Sequence, residues 1–146
     1  MTFLRTSGRC SRVASRRHQR ILALVTRRMH EMGCVLSSRE GDVGDIQQLA
    51  LALPPSVGRH RPDAIGLFAD GRVGIGEAKT ATDVFSVRTR EQLEDYLCPG
   101  DSGYPWVFLG FPSSAEGSVR SLLRSIGAID CPQLVLVSVP DELIDG

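Results

Sequence analysis

The sequence predicts an α/β fold in which a mixed sheet of roughly five strands is flanked by helices. Three observations lead there. Two strand-like runs, Ala64–Ala69 and Arg72–Lys79, are separated by the turn pair Asp70-Gly71, which requires an antiparallel hairpin. Two later apolar runs, Trp106–Phe111 and Leu134–Val139, are separated by a helical pattern, which favours a right-handed crossover and parallel pairing. Apolar residues between Ser15 and Met32 recur at helical spacing.

The elements follow in order. Residues 1 to 14 hold Ser, Thr, Gly and Arg without apolar periodicity and read as a basic, flexible arm; residues 15 to 146 read as one domain. Ile21, Leu22, Val25, Met29 and Met32 form the stripe of an amphipathic helix, with Ser15 as its N-cap and Gly33 as its stop. Cys34–Ser38 follows as a short strand. Gly41–Asp45 reads as a turn, Ile46–Leu53 suits either a short helix or a strand, and Pro54–Gly58 is a loop. After the hairpin, Arg88–Leu97 reads as a helix with Leu93, Tyr96 and Leu97 on one side, stopped by Cys98–Asp101. Trp106–Phe111 is nearly all apolar, as expected at a sheet centre. Ser114–Ile126 is a further helix, striped by Val119, Leu122, Leu123 and Ile126 and ended by Gly127.

Composition narrows the class. A chain of 146 residues with 42% hydrophobic and 23% charged residues reads as globular, and buries roughly two-thirds of its unfolded surface. No run of eighteen apolar residues occurs, so no membrane helix is expected. Cys10, Cys34, Cys98 and Cys131 are irregularly spaced and form no C-x-x-C, which argues against structural zinc. Without an apolar signal-peptide core they read as reduced thiols of a cytoplasmic protein.

The formal net charge of zero hides a division. Residues 1 to 30 hold eight arginines and no acid, and the rest of the chain holds nine bases against seventeen acids. Such asymmetry suggests a basic arm meeting an anionic partner, with nucleic acid favoured. A mitochondrial transit peptide shares this composition, but the later arginines fall within the first helix.

Lys79 is the only lysine beside sixteen arginines. Arginine holds its proton in a planar fork, whereas lysine is a compact charge whose pKa can move. Asp63 begins the first hairpin strand and Glu77 lies near the end of the second. A turn centred near position 70.5 sets about Ala64 opposite Glu77, next to Asp63. Lys79, two residues beyond Glu77, leaves the same sheet face. Converging carboxylates repel unless a proton or cation sits between them. Mg²⁺ suits the pair, because it takes oxygen ligands and fills its other positions with water and phosphate; the Ala78 carbonyl is a further candidate ligand. The small residues Gly74, Gly76 and Ala78 are expected to leave room for a ligand.

In Pro62-Asp63, Glu77-Ala78-Lys79 and the later Gln92-Leu93-Glu94-Asp95-Tyr96, the chain resembles the PD-(D/E)XK nuclease superfamily, over about residues 16 to 140. The last piece resembles the Q-x-x-x-Y motif of its RecB-type branch. The resemblance implies a three-layer α-β-α sandwich, the restriction-endonuclease-like fold, and metal-dependent endonuclease activity on DNA, with RNA as the other nucleic acid to consider. It implies Asp63 and Glu77 as metal ligands, Lys79 as catalytic lysine, Gln92 as a positioning residue, and Tyr96 as support. Mg²⁺ is the implied cofactor, with Mn²⁺ substituting, and a homodimer the implied assembly. The sequence departs from the family at the first helix, where many members carry a glutamate that completes the metal site. The only acid there is Glu31, near the far end; Gln19 and His18 stand closer, and Glu40, Asp42 or Asp45 are other candidates for the role. Arg16, Arg17, Arg20, His60 and Arg61 are the expected nucleic-acid contacts. The missing acid keeps a second reading open: a nuclease-fold subunit with weak or no turnover that binds nucleic acid or a partner. A third is a protein-interaction domain whose acidic hairpin is polar surface.

Overall fold

Ser15 starts the first helix as its pattern predicts: its Oγ accepts the His18 N–H at 3.1 Å, satisfying a donor the helix leaves free. The computed structural model describes residues 15–39, 60–97 and 105–145. Within them lie α1 (Arg16–Glu31), β1 (Val35–Arg39), β2 (Ala64–Leu67), β3 (Val73–Ala78), α2 (Val87–Leu97), β4 (Trp106–Pro112), α3 (Glu116–Ser125), β5 (Leu134–Val139) and α4 (Asp141–Asp145). Short 3₁₀ turns at Asp83–Phe85 and Ser113–Ala115 precede α2 and α3. The arm, the ambiguous segment with Glu40, Asp42 and Asp45, and Cys10 and Cys98 lie outside the described residues. Of the remaining cysteines, Cys34 is buried and Cys131 half-buried, and both are free thiols.

The five strands form one mixed sheet in sequence order, β1-β2-β3-β4-β5. β2 runs antiparallel to both β1 and β3, and β3, β4 and β5 run parallel. Helices cover both faces, giving the predicted α-β-α sandwich. On one face, Ile21, Leu22, Val25 and Met29 of α1 are fully buried against Ala64, Ala78, Phe108 and Val139, with Ile144 of α4 beside them. Each such side chain contributes about 1.5–3 kcal/mol relative to exposure. On the other face, Leu93, Tyr96 and Leu97 of α2 and Val119 and Leu123 of α3 pack on Ile75, Val107, Leu109 and Phe111.

α1 lies close on the sheet because glycines sit under it. A Cβ on Gly110 would fall 2.3 Å from a methyl of Val25, and one on Gly76 would fall 2.8 Å from the Met29 sulfur. This corrects the expected role of the β3 glycines: on the face opposite Glu77, Gly76 makes room for α1 and Gly74 for Cys34 and Phe68, and not for a ligand.

The hairpin register also differs from expectation by one residue. Leu67 pairs with Val73 and Ala64 with Gly76, so Asp63 comes level with Glu77. The turn is longer than Asp70-Gly71 alone. Phe68 N–H donates to Arg72 O, Gly71 N–H donates to Phe68 O, and Gly71 takes φ +89°, as in a three-residue loop ending on a left-handed glycine. Helix α4 had no sequence signal, since five residues are too few to show a period.

Candidate functional site

Strand alternation puts Ile75, Glu77 and Lys79 on the α2 face of β3. Glu77 is 2% exposed, Lys79 9%, Asp63 7% and Gln92 2%, so four polar side chains cluster where the hairpin strands end. Lys79 Nζ donates to Gln92 Oε1 of α2, which fixes the ammonium on that face. Asp63 Oδ2 accepts from the Ala78 N–H at 2.9 Å and lies 3.0 Å from His18 Nε2 of α1. The structure therefore brings together Asp63, Glu77, Ala78, Lys79 and Gln92, all singled out in the sequence, and adds His18 directly to Asp63.

The two carboxyls respond oppositely to their surroundings. Burial, and then the negative charge of Asp63, push Glu77 well above the ordinary carboxylate range, with Lys79 opposing. Burial also works to raise Asp63, but the hydrogen bond and charge of His18, with Glu77 and the Ala78 N–H, leave it below that range. Of the pair, Glu77 is thus the member that holds a proton more readily and Asp63 the one that gives it up more readily. Glu77 Oε2 is buried without a hydrogen-bond partner among the described residues. So is the Tyr96 hydroxyl, whose pKa is raised by burial and then by the charges of Glu77 and Asp63.

The donor set fits a hard divalent cation. Two carboxyls meet, and Glu77 Oε2 has no hydrogen-bond partner among the described residues. Among the described residues no three His, Cys, Asp or Glu side chains form a ready-made metal cage. Asp63 and Glu77 would therefore be the main protein ligands, with the remaining positions left to water and phosphate.

The other expected residues are placed as follows. His18 lies on the buried stripe of α1, four residues before Leu22, and a polar residue on an apolar stripe is the signal that marks it. Gln19 is half-buried, and Glu31 is exposed and paired with Arg27 and Arg28 at 3.5 and 3.7 Å. His60 is buried rather than displayed toward solvent. Its Nε2 lies 3.0 Å from Asp95 Oδ2, an ion-pair distance whose alignment falls short of a hydrogen bond, and its ring meets Tyr96 edge-on. Arg61 and Arg16 are exposed. Arg17 pairs with Asp145 at 3.0 Å and Arg20 donates to the Ile144 carbonyl, so α4 engages two of the three α1 arginines expected to contact nucleic acid. No helix among the described residues is long and apolar enough to cross a membrane.

No family model and no curated protein matches the chain. Among solved structures, it is similar to SfsA of Pyrococcus furiosus in complex with Ca²⁺, at 15% identity and a TM-score of 0.47. The match covers 79% of this chain and 52% of that one, so the chain spans about half the length of that protein.

Proposed function

We propose that the chain is a metal-dependent phosphodiesterase of the PD-(D/E)XK type that cleaves nucleic acid internally, with DNA as substrate. The observation that carries this reading is the cluster at the hairpin end: Asp63 level with Glu77, an orphaned Glu77 oxygen, and Lys79 held by Gln92. Two buried carboxyls pushed in opposite directions are a poor structural device, because each costs solvation and neither fully satisfies the other. A divalent cation, Mg²⁺ or Mn²⁺, would resolve that cost, lowering the pKa of a bound water and offsetting charge at phosphorus. In this scheme Glu77 gives up its proton on loading, and Asp63 keeps its charge. Lys79, oriented by Gln92, faces the attacking oxygen or the developing phosphorane charge. His18, with Gln19 next to it, stands near the place on the first helix where the resemblance leads one to expect a glutamate.

The test is incubation with supercoiled and branched DNA and either metal. Wild type is expected to nick or resolve these substrates, and Lys79→Ala to lose at least about 100-fold in rate, the usual worth of one positioned charge stabiliser. Equal cleavage by both proteins would remove the active-site assignment. The His18–Asp63 contact favours one second reading, a nuclease-fold subunit that binds nucleic acid without turnover, because Asp63 Oδ2 already has two partners. Metal titration by calorimetry of wild type against Asp63→Ala separates the two: heat lost in the variant supports the cation site, and no heat in either supports the subunit.

A further inference from the structure

A cavity of about 300 Å³ opens beside the candidate site, lined in part by Ser15, Arg17, Thr80, Thr82 and Asp145. It begins one residue beyond Lys79 on the sheet side and one residue before His18 on α1. A smaller cleft of about 250 Å³ continues between Arg16, Arg17, Arg20 and the end of α4. Hydroxyls and guanidinium groups therefore line the path that leads away from the carboxyl pair. Two carboxylates there have the wrong sign for an anion: Asp141, and Asp145, which lies 3.0 Å from Arg17 Nε.

The acids of α4 are not equivalent. Asp141 is taken up by the turn before α3, accepting from Ser113 Oγ at 2.9 Å, Ser114 N at 3.0 Å and Ser114 Oγ at 2.6 Å. Ile144 anchors the helix in the core beneath α1. Asp145, by contrast, is more than half exposed, and so is its partner Arg17. The anchor thus holds a carboxylate over a guanidinium where packing does not require one.

We propose that the cavity at Arg17 is a subsite for a backbone phosphate flanking the cleavage position, and that the Asp145 carboxylate fills this place until nucleic acid displaces it. The inference rests on the nucleic-acid reading above and adds the subsite and its competitor. Arginine permits the exchange, since a backbone phosphodiester, like a carboxylate, presents two charged oxygens to its planar fork. An exposed pair of this kind is weak, so displacement is cheap.

Fluorescence anisotropy of a labelled DNA duplex, without metal and at several salt concentrations, tests it. Asp145→Asn is expected to bind roughly two- to five-fold tighter than wild type, the range open to an exposed ion pair. Asp130→Asn makes the same charge change at an exposed position just before the start of β5, away from the cavity, and is expected to leave affinity nearly unchanged. Arg17→Ala is expected to bind more weakly with a salt slope lower by about one, and to abolish the gain from Asp145→Asn. Equal gains from Asp145→Asn and Asp130→Asn would overturn the competition, and wild-type affinity and slope in Arg17→Ala would overturn the subsite. Absence of DNA binding in wild type and every variant would overturn the nucleic-acid reading, and the inference with it.

Discussion

Replacing Gly110 by alanine tests how tightly α1 is fitted to the sheet and, through it, how His18 reaches Asp63. The new Cβ would lie 2.3 Å from Val25 Cγ2 and 2.9 Å from Ile21 Cγ2, both on fully buried side chains. Carbon atoms need about 3.5–4.0 Å, so α1 must lift by a sizeable fraction of an ångström or its side chains must leave their rotamers. Overpacking of this kind costs about 1–3 kcal/mol. In a chain of this length that is a fall in Tm of roughly 3–10 °C. Urea unfolding followed by far-UV circular dichroism measures it. A double-mutant cycle with Val25→Ala makes the test specific. That change alone removes two buried methyl groups, worth about 1.5 kcal/mol before any cavity cost. Combined with Gly110→Ala, it vacates the space the new methyl needs, so the pair should be at least about 1 kcal/mol more stable than the two losses added. Strict additivity, or a neutral Gly110→Ala, would refute the argument that this glycine sets the height of the helix.

The proton-holding role of Glu77 has a pH signature. Its pKa is raised in the folded state, so its contribution is fully present below its ordinary 4.5 and is lost as pH rises through the folded value. Asp63 works the other way, stabilising above its ordinary 3.8 and failing as pH falls. Metal-free Glu77→Gln should therefore gain on wild type steadily from about pH 4.5 upward; parallel stability profiles in chelator would contradict it. Tyr96→Phe removes a buried hydroxyl that has no partner, and should stabilise the metal-free protein by about 1 kcal/mol in urea melts, where a loss of that size would show that the hydroxyl is bonded after all.

Much of this architecture is legible in the chain because its signals are local. The stripe of α1, the apolar β4 and β5 runs and the glycine stops each lie within one element, and the structure places each within a residue or two of expectation. The site residues on the hairpin were legible for the same reason: strand alternation carries Glu77 and Lys79 to one face whatever the surroundings. The misses are long-range. His18 stands near the place of the expected helix acid in the sequence, but its contact with Asp63 spans forty-five positions and depends on how far α1 sinks onto Gly76 and Gly110. His60 lies against Asp95 and Tyr96, residues of a helix that follows the whole hairpin. The pairing of Arg17 and Arg20 with α4 is hidden for the same reason, since that helix is too short to announce itself.

The three-residue hairpin loop acts at a distance. Gly71 is six residues from Glu77 along β3, about 20 Å in an extended strand. Yet that loop alone decides which residue of β2 stands across from Glu77. Strand side chains alternate faces, so adding or deleting one loop residue would exchange Asp63 for a neighbour pointing away. The spacing of the two acids is thus written at the far end of the ribbon. An insertion that touches no polar group could disperse the cluster while leaving the core of both helical layers in place.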